Sequence, residues 1–114
     1  MVDIHNLVSE HKELVINTRR DLHRIPEVGY TEEKTSAYVA DYLRREGLEV
    51  QTGIAQCGVV GLLNSGKPGA TLMVRADMDA LALQEETGLD FASTHDGVMH
   101  ACGIDGHMAI LLVV

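Results

Sequence analysis

The apolar residues of this chain change their spacing once, near Gly47, and this change limits the folds that remain open. Before it, apolar residues recur at helical intervals, which predicts one helix over residues 3–24 and a second from Thr31 to Gly47. After it, LEVQTGI reads as a strand with one exposed face. GVVGLLN and ATLMVRA read as strands buried on both faces. Two helices followed by three strands predict an α/β sandwich with a mostly buried sheet.

Composition and charge narrow the function classes. The chain has 114 residues, enough for one small domain with a core, and its net charge is −8 with scattered basic residues. This charge pattern argues against nucleic-acid binding, which needs a concentrated basic face. No apolar stretch approaches the ~20 residues of a membrane span, and the N-terminus does not resemble a signal peptide. Two distant cysteines make no disulfide framework. We therefore expect a cytoplasmic protein without nucleic-acid or membrane partners.

Acidic residues appear abruptly where the third predicted strand ends, in RADMDAL. Ligands of open α/β sheets bind at the carboxyl ends of strands, and Asp77 and Asp79 would project to the same side of an extended chain. A solvated turn explains the same two residues, because Asp is common in turns. Residue type alone favours the turn interpretation, so the role of these carboxylates stays open at this point.

Four residues that commonly bind metals lie within eight positions in MHACGIDGH: His100, Cys102, Asp105 and His107. Thiolate, imidazole and carboxylate groups are the usual ligands of zinc and related divalent ions. A structural interpretation is equally open. In it, Cys102 is a small buried residue, Asp105 caps a helix, and His107 is a surface residue in the first turn.

The wider sequence resembles a known family. The stretches RRDLHRIPEVGYTEEKTSAYV, VRADMDALALQEETGLDFAS and MHACGIDGHMAILL occur in the same order, and at similar spacing, in the metal-dependent amidohydrolases of the aminoacylase and carboxypeptidase superfamily. The branch they resemble most contains hippurate hydrolase and the indoleacetyl-amino-acid hydrolases. The resemblance extends from about Arg19 to Leu112. Three motifs in register make it specific, whereas each motif alone would be weak.

The resemblance implies a fold, a reaction and a cofactor. Residues 1–114 would form the N-terminal part of a zinc-peptidase-like α/β sandwich, with the lid or dimerisation domain and the C-terminal catalytic half lying outside them. The substrate would be an N-acyl amino acid, cleaved at its amide bond with divalent Zn, Mn, Co or Ni ions, which polarise the carbonyl and activate water. Cys102 matches a cysteine metal ligand of the family, and Asp77 matches its catalytic carboxylate.

The chain also departs from the family pattern. The family reads HACGHD, with a histidine ligand where this chain has Ile104, and an isoleucine cannot bind a metal. Asp105 or His107 could substitute only if the turn tolerated a shifted donor, which metal geometry rarely allows. The glutamate pair that supplies the general base in the family has no match in residues 1–114. We therefore expect this chain alone to be inactive and to bind metal below stoichiometry.

The chain ends in the apolar run AILLVV. A helix that is apolar on all sides is normally buried in a larger protein, so we expect a longer catalytic domain and self-association or aggregation through this segment. Two other interpretations remain. The chain could be a non-enzymatic fragment that pairs with a full-length relative, or a single-metal module built on Cys102, Asp105 and His107.

Overall fold

The protein has the α/β architecture that the sequence predicts. A computed structural model describes residues 1–114. The elements, in chain order, are α1 (Ile4–His23), α2 (Glu33–Arg45), β1 (Glu49–Ile54), β2 (Gly58–Leu62) and α3 (Ile104–Val113). Helix α1 packs against α3, and α2 packs against the two strands. No helix combines the length and the apolar character that a membrane span requires.

The helix boundaries follow from local hydrogen bonding. The Asp3 carboxylate accepts the backbone N–H three residues further on, at 3.2 Å, and caps α1. Helix α2 begins at Glu33 rather than at the predicted Thr31. The reason is that the Thr31 hydroxyl donates to the Val28 carbonyl oxygen at 2.7 Å and closes a turn before the helix. Gly47, with φ of 85°, follows α2 in the left-handed conformation expected of a helix-ending glycine.

The sheet has two strands, whereas the sequence predicted three. β1 and β2 form an antiparallel hairpin in which Glu49 lies opposite Leu62. The predicted third strand, residues 70–76, is not part of the sheet. The expectation of a mostly buried sheet is also wrong, since Leu62 is about half exposed. A strand is buried on both faces only when neighbouring strands and two covering layers enclose it, and here α2 is the main helix that packs on the hairpin.

The hydrophobic core forms where the three helices meet. It consists of five buried side chains: Leu22, Val39, Tyr42, Met108 and Leu112. The partly buried Val59 of β2 packs against its edge. The core therefore joins the two ends of the chain, because Leu22 of α1 and Met108 and Leu112 of α3 meet in it together with two residues of α2.

The C-terminal apolar run is buried on one side only. Within α3, Met108, Ala109 and Leu112 are buried and Ile110 is exposed, as is Val114 just after the helix. This is the pattern of a helix packed against one neighbour. The expected apolar patch is thus reduced to the outer residues of α3, and self-association through it stays a prediction.

We predict that Leu22→Ala destabilises the chain by about 2–5 kcal/mol, because it removes a fully buried side chain and leaves a cavity between α1 and α3. Urea denaturation followed by circular dichroism measures the change. The matched control is Leu72→Ala at a position that is 86% exposed, with an expected change below about 0.5 kcal/mol. Equal effects of the two substitutions would contradict this description of the core.

Candidate functional site

The metal-ligand candidates from the sequence lie at the start of α3, but they face different directions. Gly103, with φ of 95°, precedes the helix in the left-handed conformation. Cys102 is exposed on the turn before it, with a free thiol. Asp105 is completely buried, whereas His107 is exposed on another face of the same helix. Residues two apart on a helix point about 200° from each other, which separates these two donors.

Asp105 is the centre of a buried ion network. Its Oδ2 accepts a hydrogen bond from Arg19 Nε at 3.0 Å and another from His23 Nδ1 at 2.8 Å. The second ring nitrogen of His23, Nε2, lies 3.0 Å from Glu85 Oε1. We call the four residues Arg19, His23, Glu85 and Asp105 the Asp105 network. It ties the end of α1 to the first turn of α3 and to the loop that contains Glu85.

Glu85 is held firmly in its loop. Besides His23, its carboxylate accepts hydrogen bonds from the Ser93 backbone N–H at 2.9 Å and from the Thr87 hydroxyl. Burial by itself raises the pKa of Glu85, but the donors Thr87 and Ser93 and the neighbouring His23 outweigh it, and the net pKa is lowered. Glu85 therefore stays ionised and gives the Asp105 network a second negative charge.

Two polar groups beside the Asp105 network have no hydrogen-bond partner. They are Asp105 Oδ1 and the imidazole of His100, whose two ring nitrogens are both buried and unpaired. The ring centroid of His100 lies 6.5 Å from that of His23. Burial lowers the pKa of His100, and the charge of His23 acts in the same direction against the attraction of Asp105. A buried neutral imidazole and a free carboxylate oxygen thus lie on either side of the Cys102 turn in the sequence.

Asp77 lies in a different environment. Its carboxylate accepts a hydrogen bond from Arg75 Nη2 at 2.8 Å, and both side chains are largely exposed. Asp77 and Asp79 line one open pocket together with Glu32 and Cys57. Burial and the nearby Glu32 carboxylate raise the pKa of the Cys57 thiol, which therefore stays protonated at neutral pH. The carboxylates thus share a pocket, as their spacing predicts, while Asp77 itself remains in contact with solvent.

The residues do not form a complete metal centre. No group of three or more His, Cys, Asp or Glu side chains is arranged to hold an ion. One oxygen of Asp105 is engaged by Arg19 and His23, and position 104 offers only a half-buried isoleucine. This geometry does not fit a bound metal, and no catalytic step through a metal follows from it.

Sequence reasoning assigned no role to Arg19, His23 or Glu85. Arg19 and His23 lie in RRDLHRIPEV and Glu85 in ALQEETG, both within the stretches that carry the family resemblance. The signal that could have identified His23 is its position next to Leu22, at the buried end of α1. A histidine at such a position needs a polar partner.

Comparisons with known proteins agree with these motifs. Residues 73–114 match the profile of Peptidase family M20/M25/M40. The chain is 48% identical over 108 residues to thermostable carboxypeptidase 1 of Saccharolobus solfataricus, covering 94% of this chain and 28% of that protein. It is 48% identical over 104 residues to the N-acetyldiaminopimelate deacetylase of Bacillus velezensis, covering 89% and 27%.

A solved structure shows the same fold. The Bacillus subtilis YXEP protein, a dinuclear metal-binding peptidase of the M20 family, superposes with a TM-score of 0.82 at 39% identity over 91% of this chain and 29% of that one. The chain thus spans a little over a quarter of the length of the proteins it matches. The matches support assignment to peptidase family M20. They agree with the resemblance of the three motifs to the amidohydrolase and carboxypeptidase superfamily.

We predict that the contribution of His100 to stability falls as the pH is lowered below the ordinary histidine pKa of 6.5, because burial lowers the pKa of His100 in the folded chain. The unfolded chain then binds a proton that the folded chain does not, which favours unfolding until the folded pKa is passed. The midpoints of urea denaturation at pH 7.5 and pH 5.5 measure the effect. Both pH values lie well above the acid range in which Glu85 titrates.

The substitution His100→Gln should reduce this pH dependence, and the same change at the exposed His5 is the matched control. A His100→Gln chain that loses stability with acid as steeply as the parent chain would show that His100 is not the group responsible.

Proposed function

We propose that this chain, whose matches support family M20, supplies the N-terminal part of the catalytic domain of a metal-dependent amidohydrolase that cleaves N-acyl amino acids. The observation that carries the proposal is the Cys102 turn at the start of α3, anchored by the Asp105 network within a fold similar to a dinuclear metal-binding peptidase. In this proposal the lid or dimerisation domain and the C-terminal catalytic half lie outside residues 1–114.

The proposed roles follow the family pattern. Cys102 is the metal-ligand position, and Asp77 is the catalytic carboxylate that orients the site. Because Cys102 is exposed, its thiol can bind a metal together with ligands from another part of a longer protein. Ile104 occupies the position at which the family pattern has a histidine, so the ligand set lacks a donor there. The engagement of Asp105 Oδ2 and the outward direction of His107 speak against either as a full replacement.

The substrate class is an N-acyl amino acid or a peptide. Relatives named carboxypeptidase and N-acetyldiaminopimelate deacetylase favour a peptide or an N-acetylated amino acid. The hippurate and indoleacetyl conjugates of the branch that the motifs resemble are the less favoured substrates. The cofactor in this proposal is a divalent metal, with Zn, Mn, Co and Ni as candidates.

A second candidate function is supported by the exposed segment 70–76. Leu72 and Met73 are both 86% exposed, and Val74 is 58% exposed. Because this apolar segment has no strand beside it, it can add to the edge of another sheet. In this alternative the chain is a non-enzymatic fragment that pairs with a full-length relative. Co-purification with such a relative, abolished by Val74→Lys, would favour it over a catalytic role.

We predict that residues 1–114 alone bind zinc or manganese below stoichiometry and do not hydrolyse N-acetyl amino acids, because no three donors converge. Equilibrium dialysis with metal analysis, and an assay of released amino acid, measure both properties. Stoichiometric binding that disappears in Cys102→Ala would contradict the prediction and support a single-metal module instead.

We predict that Ile104 is the residue that limits catalysis in a longer protein. A chimera in which this chain replaces the matching 108 residues of the thermostable carboxypeptidase should be inactive. Ile104→His in that chimera should raise activity by about 100-fold or more, since it restores a metal donor. The matched control is Ile110→His, which adds an imidazole at an exposed position of the same helix. Equal activity of the chimera with and without the Ile104→His substitution would show that the ligand assignment is wrong.

A further inference from the structure

We propose that His23 is a positioning residue, which holds Asp105, and through it the Cys102 turn, in a single orientation. The functional value of that orientation rests on the proposed function, in which Cys102 is a metal-ligand position. The positioning itself is a property of this chain and can be measured without metal or substrate.

The buried carboxylates on either side of His23 support this role. The side chains of Asp105 and Glu85 are 1% and 2% exposed, so two carboxylates enter the same buried region. His23, itself 2% exposed, lies between them, with one ring nitrogen at hydrogen-bond distance from each. Only a ring that carries a proton on both nitrogens donates to both carboxylates. Through these two contacts and that of Arg19, both buried carboxylates of the Asp105 network have hydrogen-bond partners.

The hydrogen bonds also fix the orientation of the Asp105 carboxylate. Both contacts to Asp105 go to Oδ2, so Oδ1 is left without a partner. A carboxylate held through one oxygen by two donors cannot rotate without breaking both hydrogen bonds. Since α3 begins at Ile104, fixing Asp105 fixes the first turn of the helix.

The turn before α3 has backbone freedom that contacts on its two sides must restrict. Gly103 has no side chain and adopts a left-handed conformation, and Cys102 is exposed. Glycine is the residue with the most backbone freedom, so the conformation here depends on what anchors the two sides. The Asp105 network provides the anchor on the α3 side. His23 is its central member, because it alone contacts both carboxylates.

A purely structural role for His23 would predict a different result from a positioning role. Loss of a structural contact lowers the stability of the whole fold, so every protected group becomes more reactive together. Loss of a positioning contact changes the Cys102 turn within a chain that is still folded. The two cysteines of the chain distinguish these outcomes, because Cys57 lies on the β1–β2 turn and takes no part in the Asp105 network.

The experiment compares the rates at which a thiol-specific reagent modifies Cys102 and Cys57 in the folded, metal-free chain. In His23→Gln, whose amide cannot reach two carboxylates from opposite ends, we expect the Cys102 to Cys57 rate ratio to change by about tenfold. His11→Gln, at an exposed position of the same helix, is the matched control and should leave the ratio unchanged. Equal acceleration of both thiols, or an unchanged ratio, would overturn the proposal.

A second measurement covers the case in which His23→Gln does not fold. Nuclear magnetic resonance of the unsubstituted chain, labelled with ¹⁵N, should show both ring N–H protons of His23 protected from exchange with water. A single protected N–H, or none, would contradict the two-carboxylate geometry. If Ile104→His leaves the carboxypeptidase chimera inactive while both His23 ring protons are protected, the proposed function is refuted and the positioning role stays intact.

Discussion

A carboxylate that is removed from water must be paired, and Asp105 finds its partners 82 and 86 residues earlier in the chain. Arg19 and His23 lie on the last turns of α1, so their hydrogen bonds fix how α1 meets α3. The hydrophobic core brings the same two helices together through Leu22, Met108 and Leu112. Burial of the apolar faces and pairing of the buried charge therefore select the same arrangement, and each would be strained without the other.

The same interaction determines what the candidate site can do. It engages one oxygen of Asp105 and directs His107 away on the opposite side of α3, while Cys102 stays accessible. A metal site needs several donor atoms close together, and in this arrangement the other donor side chains do not converge on Cys102. Ile104 then limits the donor set, because it lies two residues after Cys102, where the family pattern has a histidine, and has no donor atom. The structure thus shows that the donor side chains of this motif do not converge on one point within residues 1–114.

The two candidate residues Cys102 and Asp77 are supported very differently. Cys102 precedes a helix that is anchored by buried charges and core packing. Asp77 follows residues 70–76, which have no strand beside them, and its main contact is an exposed ion pair with Arg75. Exposed ion pairs contribute little stability, so the position of Asp77 is the less firmly fixed of the two.

The sequence by itself determined the first two helices, the end of the second at Gly47 and the resemblance to a family, because these depend on local spacing and on motifs in order. It did not reveal that residues 70–76 lie outside the sheet, because strand pairing depends on neighbouring strands that periodicity cannot identify. Nor did it identify His23 and Glu85, which are ordinary polar residues until the fold places them against Asp105. Only the tertiary structure decided that Asp105 is committed to Arg19 and His23, because buried charges are paired by proximity in space and not by spacing along the chain.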